Sequence, residues 1–259
     1  MVNRDRMDKV REMIKKGQSS DKEVQNRDAA YELFKRCPIP SYEILRNLGL
    51  FTNRQTLSRI LFFHELYKQI VNVHGVVMEF GVRWGHNLAL FSSFRGMYEP
   101  YNHTRKIIGF DTWSGFPSIA EQDGADEIVK VGSLQVSEEY DKYLAQILDY
   151  HESESPVSHI KKYELVKGDC MDTLEKYLKD NPETIVALAY LDLDLYEPTK
   201  KVLTLLGDRL TKGSIIGFDE LNYHQFPGET LAVKEALGLH KYSIRRSPLA
   251  PMPSYIVID

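Results

Sequence analysis

From Val76 onward the chain repeats one pattern, a short apolar run followed by an amphipathic stretch with helical spacing. Short runs of this kind can be buried on both faces only if the segments between them cross back over a sheet. The alternation therefore demands β-α-β units and parallel strands. The runs cover 76–80, 106–110, 163–166, 185–191, 214–218, 242–245 and 255–258, and the helical stretches cover 86–98, 139–150, 171–179, 197–210 and 229–238. Only 246–254 joins the last two runs, with three prolines and no room for a crossover helix, so those two strands are expected to pair antiparallel. The expected fold is a doubly wound α/β sheet of seven strands.

Residues 1–70 have helical rather than strand periodicity, carried by Met7, Val10 and Met13, by Tyr31, Leu33 and Phe34, and by Leu57, Ile60, Leu61 and Leu66. They are read as a helical N-terminal extension, 1–70, ahead of a catalytic domain, 71–259. One connection exceeds what such folds need: between Asp111 and Tyr163 a long acidic stretch, 118–135, precedes the helix. A stretch of that length is a lid insertion or binding loop, or else a plain surface loop.

Composition narrows the partners. The 33 Lys and Arg against 37 Asp and Glu leave a net charge of −4, which weighs against a nucleic-acid backbone as partner. No run reaches the roughly 18 apolar residues that span a bilayer, and the first residues form no secretory leader, so a cytoplasmic location is expected. Cys37 and Cys170 form no CxxC pair, which argues against a disulfide framework or a zinc site.

In a parallel sheet of this class the ligand sits beyond the carboxyl ends of the strands. The first run ends Glu79-Phe-Gly81-Val-Arg-Trp-Gly85, where glycines allow close backbone approach. The second ends in Asp111 with Thr112 and Trp113 behind it, an acid suited to a ribose diol beside an aromatic wall for a base. The third ends in Asp169-Cys170, opposite the same crevice. Together these tips describe an adenosine pocket. A dinucleotide fingerprint would need GxGxxG and an acid about 20 residues on; here the spacing is GxxxG and Asp111 lies further along. Glu79 would repel a pyrophosphate and attract an ammonium group, which favours S-adenosylmethionine over NAD.

The fourth and fifth runs end in Asp192-Leu-Asp194 and Asp219-Glu220. Carboxylates on neighbouring strand tips repel one another unless a cation or a proton lies between them, and oxygen-only donors select a hard cation such as Mg²⁺. Part of this set can equally cap the helices that follow.

VVMEFGVRWGHN, IIGFDTWSGFP, LVKGDCMDTL, LDLDLYEPTKKVL, GSIIGFDELN and PGETLAVKEAL, in that order over roughly residues 50–259, resemble the macrocin O-methyltransferase family of Mg²⁺-dependent sugar O-methyltransferases. The resemblance implies a Rossmann-like methyltransferase sheet, S-adenosylmethionine as methyl donor, a sugar-containing small-molecule acceptor and a homo-oligomer. It assigns Glu79, Gly81 and Gly85 to the methionine end of the donor, Asp111 to the ribose, and Asp169 and Cys170 to the adenine. Thr112, Trp113 and Asp192 complete the expected donor contacts. Asp192, Asp219 and Glu220 become metal ligands with Asp194 in reserve, Glu220 standing where the family usually has aspartate. Catechol-type relatives carry a lysine base where this chain has Leu195, so the acceptor's proton falls to Asp192 or to His224, which also reads as an ordinary surface-loop histidine. Two alternatives remain open at this level, a nicotinamide-type oxidoreductase and a non-catalytic module of the same fold.

Overall fold

The computed structural model describes residue 13 and residues 16–259; Met7 and Val10 lie outside the described residues. The chain forms two compact units, one ending at Arg59 and the other Ile60–Asp259. In the first, helix α1 (Asp21–Lys35) begins with a capping box between Ser20 and Glu23. A helical turn at Ser41–Ile44 and a 3-10 stretch at Leu45–Leu50 follow. None of the described residues up to Arg59 is buried.

Helix α2 (Arg54–Ile70) spans the division. Its second half brings Phe62, Phe63, Leu66, Tyr67 and Ile70 into the core of the larger unit, with no solvent exposure. Burying such a side chain is worth about 1.5–3 kcal/mol, so these five make that half of α2 part of the sheet's own core. The sequence boundary at residue 70 therefore lies past the division seen in the structure.

The larger unit then alternates as the pattern requires: β1 (Val76–Phe80), α3 (His86–Tyr98), β2 (Ile107–Asp111), α4 (Tyr140–Ser153), β3 (Tyr163–Lys167), α5 (Cys170–Asp180), β4 (Val186–Leu191), α6 (Tyr196–Leu206), β5 (Leu210–Phe218), α7 (Pro227–Ala236), β6 (Arg245–Arg246) and β7 (Ser254–Val257). The seven-stranded sheet has the order β3-β2-β1-β4-β5-β7-β6. The first five strands are parallel, and β7 runs antiparallel to both β5 and β6. One face of the sheet is covered by α2, α3 and α4, with Phe63 packed edge-on against Tyr190 at 4.7 Å and Phe91 at 5.4 Å. Leu174, Tyr177 and Leu178 of α5 and Val202, Leu203 and Leu206 of α6 cover the other.

Two boundaries depart from the sequence reading. Helix α6 stops at Leu206, with Gly207 as its C-cap, and β5 starts at Leu210, which pairs with Val186 across a register shift. The helix expected to reach residue 210 yields its end to the neighbouring strand. The strand expected at 242–245 shrinks to Arg245–Arg246 because Leu239–Lys241 closes into a 3-10 turn, leaving a short exposed edge.

Strand order reverses between β1 and β4, and the crevice at their carboxyl ends is where such sheets bind ligands. Gly81 lets these two ends meet. It has φ +87°, and a Cβ there would overlap the Asp192 carbonyl oxygen.

Candidate active site

The tips of β1, β2 and β3 are built from acids that already have partners. Glu79 is 1% exposed and its Oε1 accepts a hydrogen bond from Asn87 Nδ2 at 2.6 Å. The chain turns through Arg83 and through Gly85, with φ +50° and +74°. Helix α3 starts at His86, with Gly85 at the N-cap and no side-chain cap. Its first amides thus suit an anionic group such as a carboxylate, while Glu79 suits an ammonium group; an amino-acid end matches both. Asp111 accepts backbone N–H bonds from Arg83, at 2.7 Å, and from Trp113. Burial pushes its carboxyl up and these N–H bonds pull it down, with burial prevailing. Because each carboxylate oxygen has two lone pairs and Asp111 is only half-buried, it can still accept from a ribose hydroxyl.

The other expected donor contacts have clear local duties. Thr112 Oγ1 closes its own turn onto the Gly115 carbonyl at 2.8 Å. Trp113 is buried at φ +52°, with its indole N–H lacking an acceptor. Asp169 caps α5, its Oδ1 accepting from Met171 N at 2.9 Å. Cys170 packs in the core, and burial pushes its thiol up to about 12, which leaves it protonated and inert.

At the tips of β4 and β5 the carboxylates face one another. Asp192, Asp194 and Glu220 each offer an oxygen within 4.8 Å of the other two. Asp194, with φ +63°, follows Asp192 by two residues just beyond the end of β4. Burial first, and the neighbouring Asp219 charge second, push Asp194 up to about 7. Burial and the surrounding carboxylates push Glu220 and Glu229 well above the usual range. Glu220 Oε2 and Glu229 Oε1 are buried with no hydrogen-bond donor. Oxygen-only donors, close spacing and undonated oxygens together suit a hard divalent cation.

The geometry thus gathers Asp192, Glu220 and the reserve ligand Asp194. Asp219 lies outside this close group, its Oδ1 accepting the Tyr190 hydroxyl on the neighbouring strand, while its charge still acts on Asp194, Glu220 and Glu229. His224 is exposed, its ring edge-on to Tyr223.

Three residues of this region escape a reading of strand tips. Arg83 is half-buried, and Asp192, Asp194 and Asp111 oppose the fall that burial imposes on its guanidinium pKa. It sits inside the glycine-bounded turn, where attention goes to the glycines. Glu229 has no solvent exposure, and its Oε2 accepts from Glu220 N at 3.3 Å. In sequence it looks like a solvated acid in the first turn of a helix. Asp123, 1% exposed, comes from the long connection after β2. That connection is packed, with Phe116, Ile128, Val129 and Val136 buried.

The family model of macrocin O-methyltransferase (TylF) matches residues 56–241. The crystal structure of CalS11, a calicheamicin methyltransferase, is 42% identical over 92% of this chain and 93% of that one, with a TM-score of 0.90. An apo structure of CalS11, described as a TDP-rhamnose 3'-O-methyltransferase of calicheamicin biosynthesis, is 40% identical over 92% and 95% of the two chains, with a TM-score of 0.82. The O-methyltransferase NovP shares the fold at 21% identity over 78% and 79%, with a TM-score of 0.59. No curated protein matches. With the family model spanning most of the chain and a 42% identical relative covering nearly all of it, this chain belongs to the macrocin O-methyltransferase family and is an O-methyltransferase.

Proposed function

We propose that this protein methylates a hydroxyl of a sugar, using S-adenosylmethionine as donor with the assistance of Mg²⁺. The observation that carries the metal part is the group of Asp192, Asp194 and Glu220 within 4.8 Å, beside buried oxygens that lack donors. The sugar rests on family membership and on CalS11, whose described activity is on TDP-rhamnose.

When bound, the donor supplies an electrophilic methyl group and the cation lowers the pKa of a nearby hydroxyl. Glu79 and the uncapped start of α3 would hold the amino-acid end of the donor, Asp111 the ribose, and Trp113, Asp169 and Cys170 the base. Asp192, Asp194 and Glu220 would hold the cation, with the Glu229 carboxylate accepting the Glu220 backbone N–H from behind. Of the three, Asp192 alone is partly exposed, so it is the carboxylate an acceptor can reach and the one we assign to take the proton. His224, exposed on the loop after β5, is the second candidate. The packed connection after β2 would help keep water from the reacting atoms.

The catalytic domain would correspond to the larger unit, and no helix of the described residues is long and apolar enough to cross a membrane. The reading includes a cytoplasmic setting and assembly with further copies of the chain. Exposed apolar side chains of the first unit, Tyr42, Leu45 and Leu50, offer surface for that assembly.

The test is incubation with S-adenosylmethionine, Mg²⁺ and TDP-rhamnose, following S-adenosylhomocysteine release and a sugar product heavier by one methylene. Release that depends on both sugar and metal supports the proposal. Turnover undiminished after EDTA treatment removes the metal, and failure of every sugar acceptor removes the sugar.

A further inference from the structure

The long connection after β2 reaches into the acidic end of the sheet through one side chain. Asp123 lies in a 3-10 turn, Glu121–Asp123, and is 1% exposed. Its Oδ2 accepts from its own turn, at Ala120 N, 2.7 Å away. Its Oδ1 accepts from Tyr196 N, 2.6 Å away, at the first position of α6. Helix α6 has no side-chain cap of its own, Leu195 standing at that position, so its cap comes from this distant loop. Helix α7 closes the junction. A Cβ at Gly228 would overlap Asp123 Oδ1 and come within 2.7 Å of Tyr196 N, so only glycine fits beside this hydrogen bond. A Cβ at Gly124 would come within 3.3 Å of the Pro227 ring, and Gln225 donates to Asp126 Oδ2 at 3.1 Å. Asp194 lies two residues before Tyr196, and Glu229 directly follows Gly228.

We propose that Asp123 is a positioning residue that locks the starts of α6 and α7 to the connection after β2, and so holds Asp194 and Glu229 in place around the candidate cation site. The inference rests on the metal-assisted reading for its consequence and on the hydrogen bonds alone for its geometry.

Hydrogen exchange on the full chain tests the geometry, comparing wild type, Asp123→Ala and Asp123→Asn. Loss of the carboxylate should speed exchange about tenfold in both 194–200 and 226–232, segments remote in sequence from the substitution. Asparagine can serve only one of the two N–H donors and should fall between. Calorimetric titration with Mn²⁺ alone tests the consequence. Asp123→Ala should bind it about tenfold more weakly while S-adenosylhomocysteine affinity changes by less than about twofold. Faster exchange confined to 112–130, or unchanged Mn²⁺ affinity in a folded Asp123→Ala, overturns the proposal. Should the alanine variant not fold, the asparagine variant carries the same readings, and wild-type values in both overturn it as well. If wild type binds no Mn²⁺, the metal reading falls, and the exchange pattern alone decides whether Asp123 positions these helices.

Discussion

At the ends of β1, β2 and β3 each acid meets donors from its own neighbourhood: Glu79 meets Asn87, Asp111 meets two backbone amides, and Asp169 meets the start of α5. At the ends of β4 and β5 the acids meet each other, and Glu220 and Glu229 keep buried oxygens with no donor. In the first half these acids take hydrogen bonds from the chain itself. The second half is organised around positive charge the chain supplies only in part, through the half-buried Arg83. On the function proposed above, the first half binds the donor and the second half the cation.

The largest expected effect comes from breaking the second half. Asp194→Asn should reduce methyl transfer by about a thousandfold and abolish Mn²⁺ binding, while S-adenosylhomocysteine binds as before. A parallel collapse of S-adenosylhomocysteine affinity would show that the two halves do not work separately.

Next in size is a pH effect in the metal-free protein. Asp194, Glu220 and Glu229 are all raised in the folded chain. The folded state therefore holds more protons than the unfolded chain, and stability falls as pH rises. The penalty is absent below the ordinary carboxylate pKa of about 4 and grows with rising pH. For Asp194 it is complete above about 7. The melting temperature of EDTA-treated protein should fall from pH 5 to pH 8 by about several degrees, and Mg²⁺ should flatten that slope. A slope equal in the Asp194→Asn variant would assign the effect to other groups.

A smaller loss is expected in the first half. Glu79→Gln keeps an acceptor for Asn87 but removes the charge, and should weaken S-adenosylhomocysteine binding about tenfold with Mn²⁺ affinity unchanged. The smallest effect belongs to Asp169→Ala, which removes the cap of α5 and should cost about 1 kcal/mol in urea unfolding. If S-adenosylhomocysteine affinity falls more in this variant than in Glu79→Gln, Asp169 has a donor-binding duty beyond its cap.

Much of the fold was legible because its signals are local. The run at 186–191, Val-Ala-Leu-Ala-Tyr-Leu, is apolar at every position and is buried at every position, as a central parallel strand must be. The antiparallel final pair follows from a connection too short to cross over. The boundary at residue 70 was less legible, since the periodicity of α2 announces an apolar face without saying which core receives it. In the site, acids at strand tips could be named from sequence, but their duties could not. Asp219 and Glu220 are adjacent, yet only Glu220 joins the close group with Asp192 and Asp194, while Asp219 accepts the Tyr190 hydroxyl. Glu229 sits in a stretch that carries the family resemblance, but neither its burial nor that of Asp123 has a local signal, being set by helices and loops distant in sequence.

By itself, then, the sequence determined the alternation of elements, the acid-rich ligand end and the family, all properties of short segments in a given order. Tertiary structure alone decided which carboxylates share a site, that Gly81 serves the approach of β1 to β4, and that α6 is capped from the connection after β2. Those outcomes depend on distances between segments far apart along the chain, which only the packing of the sheet and its helices brings to a few ångströms.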